Sequence, residues 1–289
     1  MACDGHRRPL QYEMAVRVKI CGITNREDAE AAIAAGADAL GFILFSGSKR
    51  FISIENAIRI VEALPPFVTT VAVTVNAVKE FTNLGWRKQL KNFNVAQLHG
   101  EESPQHVKAV SKYLPVIKVF PADARTIISS GVFEIPDHML GTIEKLKTVR
   151  AELGGKLGRE VSVEELAAEI HLPVDRVRAV LRTADHVPPN GSPSLSDYLS
   201  CVSAFMLDTP STQHGGTGRV FDWSLATEFK ARIGGKPLVL AGGLSPENVA
   251  KAIATVQPYA VDVVSGVDAS PGRKDHAKLR DFIQICKSL

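Results

Sequence analysis

Short apolar runs rich in β-branched residues recur along the chain, and most are followed by stretches whose apolar positions repeat at helical spacing. The runs predict strands over 16–21 (VRVKIC), 39–44 (ALGFIL), 69–75 (TTVAVTV), 95–98 (VAQL), 115–120 (PVIKVF), 204–208 (AFMLD), 237–241 (PLVLA) and 260–265 (AVDVVS). Between them lie predicted helices. Asn25 caps one over 25–35 and Ser53 one over 53–63, while Ser245-Pro246-Glu247 opens one over 245–257 with proline at its first position. Strands of buried type that alternate with helices belong to parallel sheets. Eight such units make an α/β fold, and a closed (β/α)8 TIM barrel suits them better than a doubly wound open sheet, because closure leaves no edge strand.

One stretch breaks the rhythm. Some 80 residues separate the fifth and sixth strands, where a βα unit needs about 20 to 25. Residues 132–193 carry a different pattern, with Met139, Leu140, Ile143, Leu146, Val149 and Leu153 along one helical face. Ser162-Val-Glu-Glu165 reads as a capping box that opens a short helix to Ile170. A His171-Leu172-Pro173 turn then leads to a third helix bearing Val177, Val180 and Leu181, the outline of a helix-turn-helix unit. Gly131 and Asn190-Gly191-Ser192-Pro193 flank the stretch as turns. Joining the flanks gives one amphipathic helix, so the pattern predicts a small all-α domain over 132–193, inserted into the fifth helix of a barrel over 16–131 and 194–289. In such barrels that site lies away from the catalytic face.

Composition narrows the class only slightly. Residues 1–15 lack the apolar segment of a signal peptide and read as a loose leader, with Met14 a second candidate start. No apolar run approaches the roughly 18 to 20 residues of a membrane span. Cys3, Cys21, Cys201 and Cys286 are widely spaced without metal-ligand spacing, and free thiols are expected. A net charge of +3 is too small to argue for nucleic acid or membrane binding. A soluble cytoplasmic protein is the expectation.

Barrel active sites sit at the C-terminal strand ends, where chemistry should be sought. Those ends carry Cys21, then Arg50 beyond the second strand, Asn76, Gln97 with His99, and Asp208. A glycine-rich loop, Gly215-Gly216-Thr217-Gly218, follows Asp208; Gly242-Gly243 and Ser265-Gly266 follow the seventh and eighth strands, and Asp262 lies within the eighth. Glycines there let backbone N–H groups approach a phosphate. A thiol and a carboxyl across one barrel mouth can act as base and acid if their pKa values move toward neutrality. Taken singly, each residue has a plainer reading: a strand cysteine as core, an aspartate as a cap, His99 as a backbone partner, paired glycines as a turn.

The segments VKICGIT (18–24), GADALGFI (36–43), SKRFIS (48–53), VAQLHGEE (95–102), FMLDT (205–209), GGTGRVFDWS (215–224), LAGGLSPENV (240–249) and AVDVVSGVDASPGRKD (260–275) together resemble the phosphoribosylanthranilate isomerases, in that family's order. The resemblance implies an Amadori rearrangement of N-(5-phosphoribosyl)anthranilate in tryptophan biosynthesis, with no cofactor and no metal. It implies Asp208 as general acid at the ribose ring oxygen and Cys21 as general base at the sugar's second carbon. Arg50 would pair with the anthranilate carboxylate. Asn76, Gln97, His99 and Asp262 would also line the substrate site; Gly242, Gly243, Ser265 and Gly266 would hold the phosphate, and the 211–218 loop would close over it. The family's loop usually carries a proline where Phe45-Ser46-Gly47 stands.

Residues 133–190 resemble region 3 of bacterial primary sigma factors, through FEIPDHMLGTIEKLKTVRAEL and LGREVSVEELAAEIHLPVDRVRAVLRTA. That region contacts promoter DNA, and His138 matches one contacting residue, but Gly141 stands where the family has a glutamate. Residues 132–193 hold eight Lys and Arg against ten Asp and Glu, a balance of −2 that disfavours a duplex. A passive graft and a promoter-DNA or RNA-polymerase-binding module on a barrel scaffold are the two readings of this unit.

Overall fold

The computed structural model describes residues 16–77, 83–122, 137–184, 194–209 and 220–289. The leader, Gly131, Gly215, Gly216, Thr217, Gly218 and the predicted junctions at 132–136 and 185–193 lie outside these residues. Eight parallel strands close into a barrel in chain order: β1 (Arg17–Cys21), β2 (Ala39–Ile43), β3 (Thr69–Thr74), β4 (Val95–Leu98), β5 (Val116–Pro121), β6 (Ala204–Asp208), β7 (Leu238–Leu240) and β8 (Ala260–Val263). Strand β8 returns to β1 with Asp262 opposite Lys19, so the sheet has no edge and the open alternative is excluded.

Alternation at period two sorts the strand side chains. Val18, Ile20, Leu40, Phe42, Leu98, Phe205 and Leu207 face outward into the main core, shared with the helices. Cys21, Val71 and Val73 belong to one inner cluster, and Val119, Met206 and Val239 to another. Outside lie α1 (Arg26–Ala34), α2 (Ile54–Val61), α3 (Leu84–Leu90) and α4 (Pro104–Ser111), which follow the first four strands. The Asn25 and Ser53 caps form as expected, accepting from the N–H groups of Asp28 and Asn56.

Three helices, α5 (Asp137–Leu157), α6 (Val163–Ile170) and α7 (Val174–Ala184), stand between β5 and β6 and bury Leu146, Val161, Leu166, Ala167, Ile170 and Val177 against one another. Their cluster is separate from the barrel core. The Ser162–Glu165 capping box is present, and His171 ends α6 in the left-handed conformation. The short α8 (Leu195–Leu199) leads back into β6, its Tyr198 hydroxyl donating to the Glu102 carbonyl at 3.0 Å.

After β6 come α9 (Trp223–Arg232), α10 (Val249–Val256) and α11 (His276–Lys287), and a hairpin of β9 (Asp268–Ser270) and β10 (Arg273–Lys274) precedes the last. The helix predicted from Ser245 begins only at Val249. Asn248 explains the delay, since its side chain accepts from the Ser245 N–H at 2.9 Å and donates to the Gly243 carbonyl at 2.9 Å, which folds 245–248 as a turn. No described helix is long and apolar enough to cross a membrane.

Candidate active site

Cys21 is the last residue of β1, and alternation sets Lys19 on the same inward face. Lys19 Nζ lies 2.6 Å from Asp262 Oδ1, across the closing strand pair, with both side chains almost wholly buried. Gly41 is the register partner of Cys21 on β2. A side-chain carbon there would fall 2.7 Å from Cys21 Sγ and 3.0 Å from Lys19 Nζ, so only glycine leaves room for both. Burial works to discharge Lys19, but Asp262 and Cys21 outweigh it and hold its pKa above the ordinary lysine value. Burial likewise pushes the Cys21 thiol up, opposed by Lys19 and Lys274 and reinforced by Asp262. The expected move of this thiol toward neutrality is therefore not found: it moves away, because desolvation exceeds the help of nearby cations.

Asp208 ends β6, and its pKa moves toward neutrality. Burial and the charge of Asp262 raise its pKa to about 7, against the pull of the Thr209 N–H, which donates to Oδ1 at 2.8 Å, and of Lys19. His99 Nε2 stands 3.5 Å from Asp208 Oδ2, beyond the end of β4. Gly242, at φ 90°, lies where a side chain would run into Thr209 and come within 3.1 Å of Asp208 Oδ1. Gly266 lies in a 3-10 turn over Ser265–Val267, and a side chain on it would strike the Leu244 carbonyl. The backbones that leave β7 and β8 thus touch at Gly266.

Arg50 lies over Gly22, where a side-chain carbon would come within 2.8 Å of Arg50 Cδ. Its Nε donates to Asp268 Oδ2 at 2.7 Å. The other oxygen of Asp268 accepts from Lys274 Nζ at 2.7 Å, and that amine also donates to the carbonyls of Cys21 (2.7 Å) and Val264 (3.1 Å). Asn76 is turned toward a neighbouring loop. It has φ 50°, its Oδ1 accepts from the Glu101 N–H at 2.8 Å, and its own N–H donates to Glu102. Glu102 pairs with buried Lys118 at 3.0 Å, and Lys118 donates to the Gly100 carbonyl at 2.5 Å, which fixes the loop that carries His99. Burial lowers the Lys118 pKa against the attraction of Glu102. Gln97 is buried on β4, and its Oε1 has no hydrogen-bond partner among the described residues.

The structure therefore gathers Cys21, Arg50, His99, Asp208, Gly242, Gly266 and Asp262 at the C-terminal strand ends, and gives Asn76 to the β4 loop. Sequence reasoning missed Lys19, Glu102, Lys118, Asp268 and Lys274. A lysine inside an apolar strand, as in VRVKIC and PVIKVF, was the available signal for two of them, since such a charge must find a partner.

A family model described as N-(5'phosphoribosyl)anthranilate (PRA) isomerase matches residues 18–138 and 164–285. The chain belongs to the phosphoribosylanthranilate isomerase family. It is 39% identical to the N-(5'-phosphoribosyl)anthranilate isomerase of Geobacter sp. strain M21, over 94% of this chain and 98% of that protein. The crystal structure of the Thermotoga maritima isomerase is similar at a TM-score of 0.61 and 35% identity, covering 95% of this chain and all of the other. A further solved isomerase, in complex with reduced 1-(o-carboxyphenylamino)-1-deoxyribulose 5-phosphate, matches at 0.59 and 34%, over 95% of this chain and 100% of the other. Within the family's match, residues 139–163 are skipped.

Proposed function

We propose that the chain catalyses the Amadori rearrangement of N-(5-phosphoribosyl)anthranilate to 1-(2-carboxyphenylamino)-1-deoxyribulose 5-phosphate, a step of tryptophan biosynthesis in the cytoplasm, without a cofactor or metal. The observation that carries this reading is a largely covered carboxyl at the end of β6, its pKa raised to about 7, in a barrel whose β1 ends on a buried thiol. An acid of that strength is half protonated near neutral pH and can hand its proton to the ribose ring oxygen. The ring opens to a Schiff base, Cys21 removes the proton from the sugar's second carbon, and the enolamine tautomerises to the ketone. His99 and Gln97 border the reacting sugar, and Asp262 orients Lys19 beside the thiol. Arg50 takes the anthranilate carboxylate, the backbone at Gly242, Gly243, Ser265 and Gly266 holds the phosphate, and the 211–218 loop covers the substrate. In a fluorescence assay of the anthranilate derivative, Cys21→Ser and Asp208→Asn should each lower kcat/KM by roughly 10²–10⁴-fold. Wild-type kcat/KM in both variants would refute these roles.

A second reading concerns the helical segment, which we take to be an inserted three-helix domain akin to region 3 of sigma factors. Its separate core supports an insertion, and the family match skips residues 139–163 within it while taking in the stretch from 164 onward. Arg150, Arg159 and Arg178 pair with Glu160, Glu165 and Glu164, and the segment's acidic balance of −2 favours a passive graft over a DNA- or polymerase-binding module. Excision of 132–193 should leave kcat/KM unchanged, and no promoter duplex should be retarded at low salt.

A further inference from the structure

We propose that Asp268 is the positioning residue that gives this site its preference for a carboxylate on the substrate's ring, by holding Arg50 through Nε so that the two terminal guanidinium nitrogens face an incoming carboxylate. The inference rests on the reading of Arg50 above and extends it to a residue outside the barrel strands. Asp268 opens β9 just beyond β8, and each of its oxygens is committed, Oδ2 to Arg50 and Oδ1 to Lys274. Lys274 is in turn fixed at four points. Its amine binds Asp268 and the carbonyls of Cys21 and Val264, and its backbone N–H donates to Asp28 Oδ2 at 2.9 Å on α1. The Asp268 carboxylate therefore has a set direction before any ligand arrives, and it transmits that direction to Arg50.

A guanidinium can grip a carboxylate by its Nε edge or by its two terminal nitrogens. Asp268 occupies the first, so the second is the edge left for a ligand. Among the described residues no acceptor takes those terminal nitrogens. Charge points the same way. Arg50 and Lys274 share one carboxylate, so one positive charge is unmatched where the Arg50 side chain is only 11% exposed and that of Lys274 is fully buried. A buried cation left over in this way calls for an anion, and a single carboxylate has both the charge and the bidentate geometry. The Cys21 carbonyl hangs from the same lysine, so the carboxylate clamp and the strand end bearing the thiol share one reference point.

The test measures equilibrium binding of two probes to the full chain: reduced 1-(2-carboxyphenylamino)-1-deoxyribulose 5-phosphate and its phenylamino counterpart without the carboxyl group. Wild-type protein should prefer the first. Asp268→Asn should reduce that preference roughly tenfold, with the second probe bound as before and the loss in catalysis falling on KM more than on kcat. Arg50→Lys should lose the preference too. Should Asp268→Asn be too unstable to purify, the double variant Asp268→Asn with Lys274→Met removes the stranded cation and carries the same expectation. Equal weakening of both probes, or an intact preference in the Asp268 variant while Arg50→Lys loses it, overturns the proposal. An intact preference in Arg50→Lys instead overturns the reading of Arg50 itself.

Discussion

The barrel mouth and the three-helix segment handle charge in opposite ways. At the mouth Lys19, Lys118 and Lys274 are buried, and each meets a carboxylate that is buried as well. In the segment the ion pairs lie on the surface: Arg159 is 56% exposed against Glu165, and Arg150 and Arg178 are similar. Exposed pairs are screened and add little, whereas a buried charge without its partner is costly. The segment is therefore held by its apolar cluster, and the mouth by polar contacts whose loss is felt at once. Lys118 and Lys274 each orient something: a loop, a strand end or the carboxylate that holds Arg50.

The sharpest way to break the comparison is Lys118→Met, which strands Glu102 and frees the loop that carries His99. Denaturant unfolding should register a loss of about 3–5 kcal/mol. A loss below about 1 kcal/mol would mean that the mouth is no more dependent on its charges than the segment is on its own.

Asp208→Asn tests the same contrast with the opposite sign. The wild-type carboxyl has its pKa raised to about 7, above the unfolded value near 4, so ionising it in the fold costs stability. That cost is absent below about pH 4, grows as pH rises toward about 7, and is constant above. The asparagine variant should accordingly be more stable than wild type at pH 8, on the order of 2–4 kcal/mol, with the gain gone at pH 4. In wild type the carboxyl stays protonated until pH nears 7; beyond that the protonated acid falls while the thiolate rises, so on the proposed roles kcat/KM should climb with pH to about 7 and level off there.

The smallest effect belongs to the segment. Ile170→Val trims its cluster and should cost about 1 kcal/mol. Hydrogen exchange should quicken within α5, α6 and α7 alone, with the barrel amides and kcat/KM unchanged. Acceleration in β5 or β6 as well would join the two cores that the packing separates.

Much of this was legible because the barrel repeats one local rule. Strands buried on both faces read as apolar runs, and barrel sites lie where strands end, so position made Cys21, Arg50 and Asp208 candidates and the family resemblance gave them roles. The Ser162–Glu165 box and the Asn25 and Ser53 caps were legible because capping involves residues three apart. What escaped depends on distant partners. The Ser245 start failed because the Asn248 side chain claims the turn. Asp268 and Lys274 look like ordinary loop residues until folding brings them to Arg50 and Cys21, more than two hundred positions away. The direction of the thiol's shift depended on how deeply the closed barrel buries it, which no short segment encodes.

The opposed shifts of Cys21 and Asp208 have a consequence for how often the enzyme is ready to react. In the proposed roles the acid must hold its proton while the thiol has lost one, yet the carboxyl releases near pH 7 and burial has pushed the thiol above its ordinary range. On those roles the working pair is a reversed protonation state, held at any instant by a minority of the free molecules. Turnover draws on that minority, so whatever narrows the gap between the two groups enlarges the competent population before it touches any barrier.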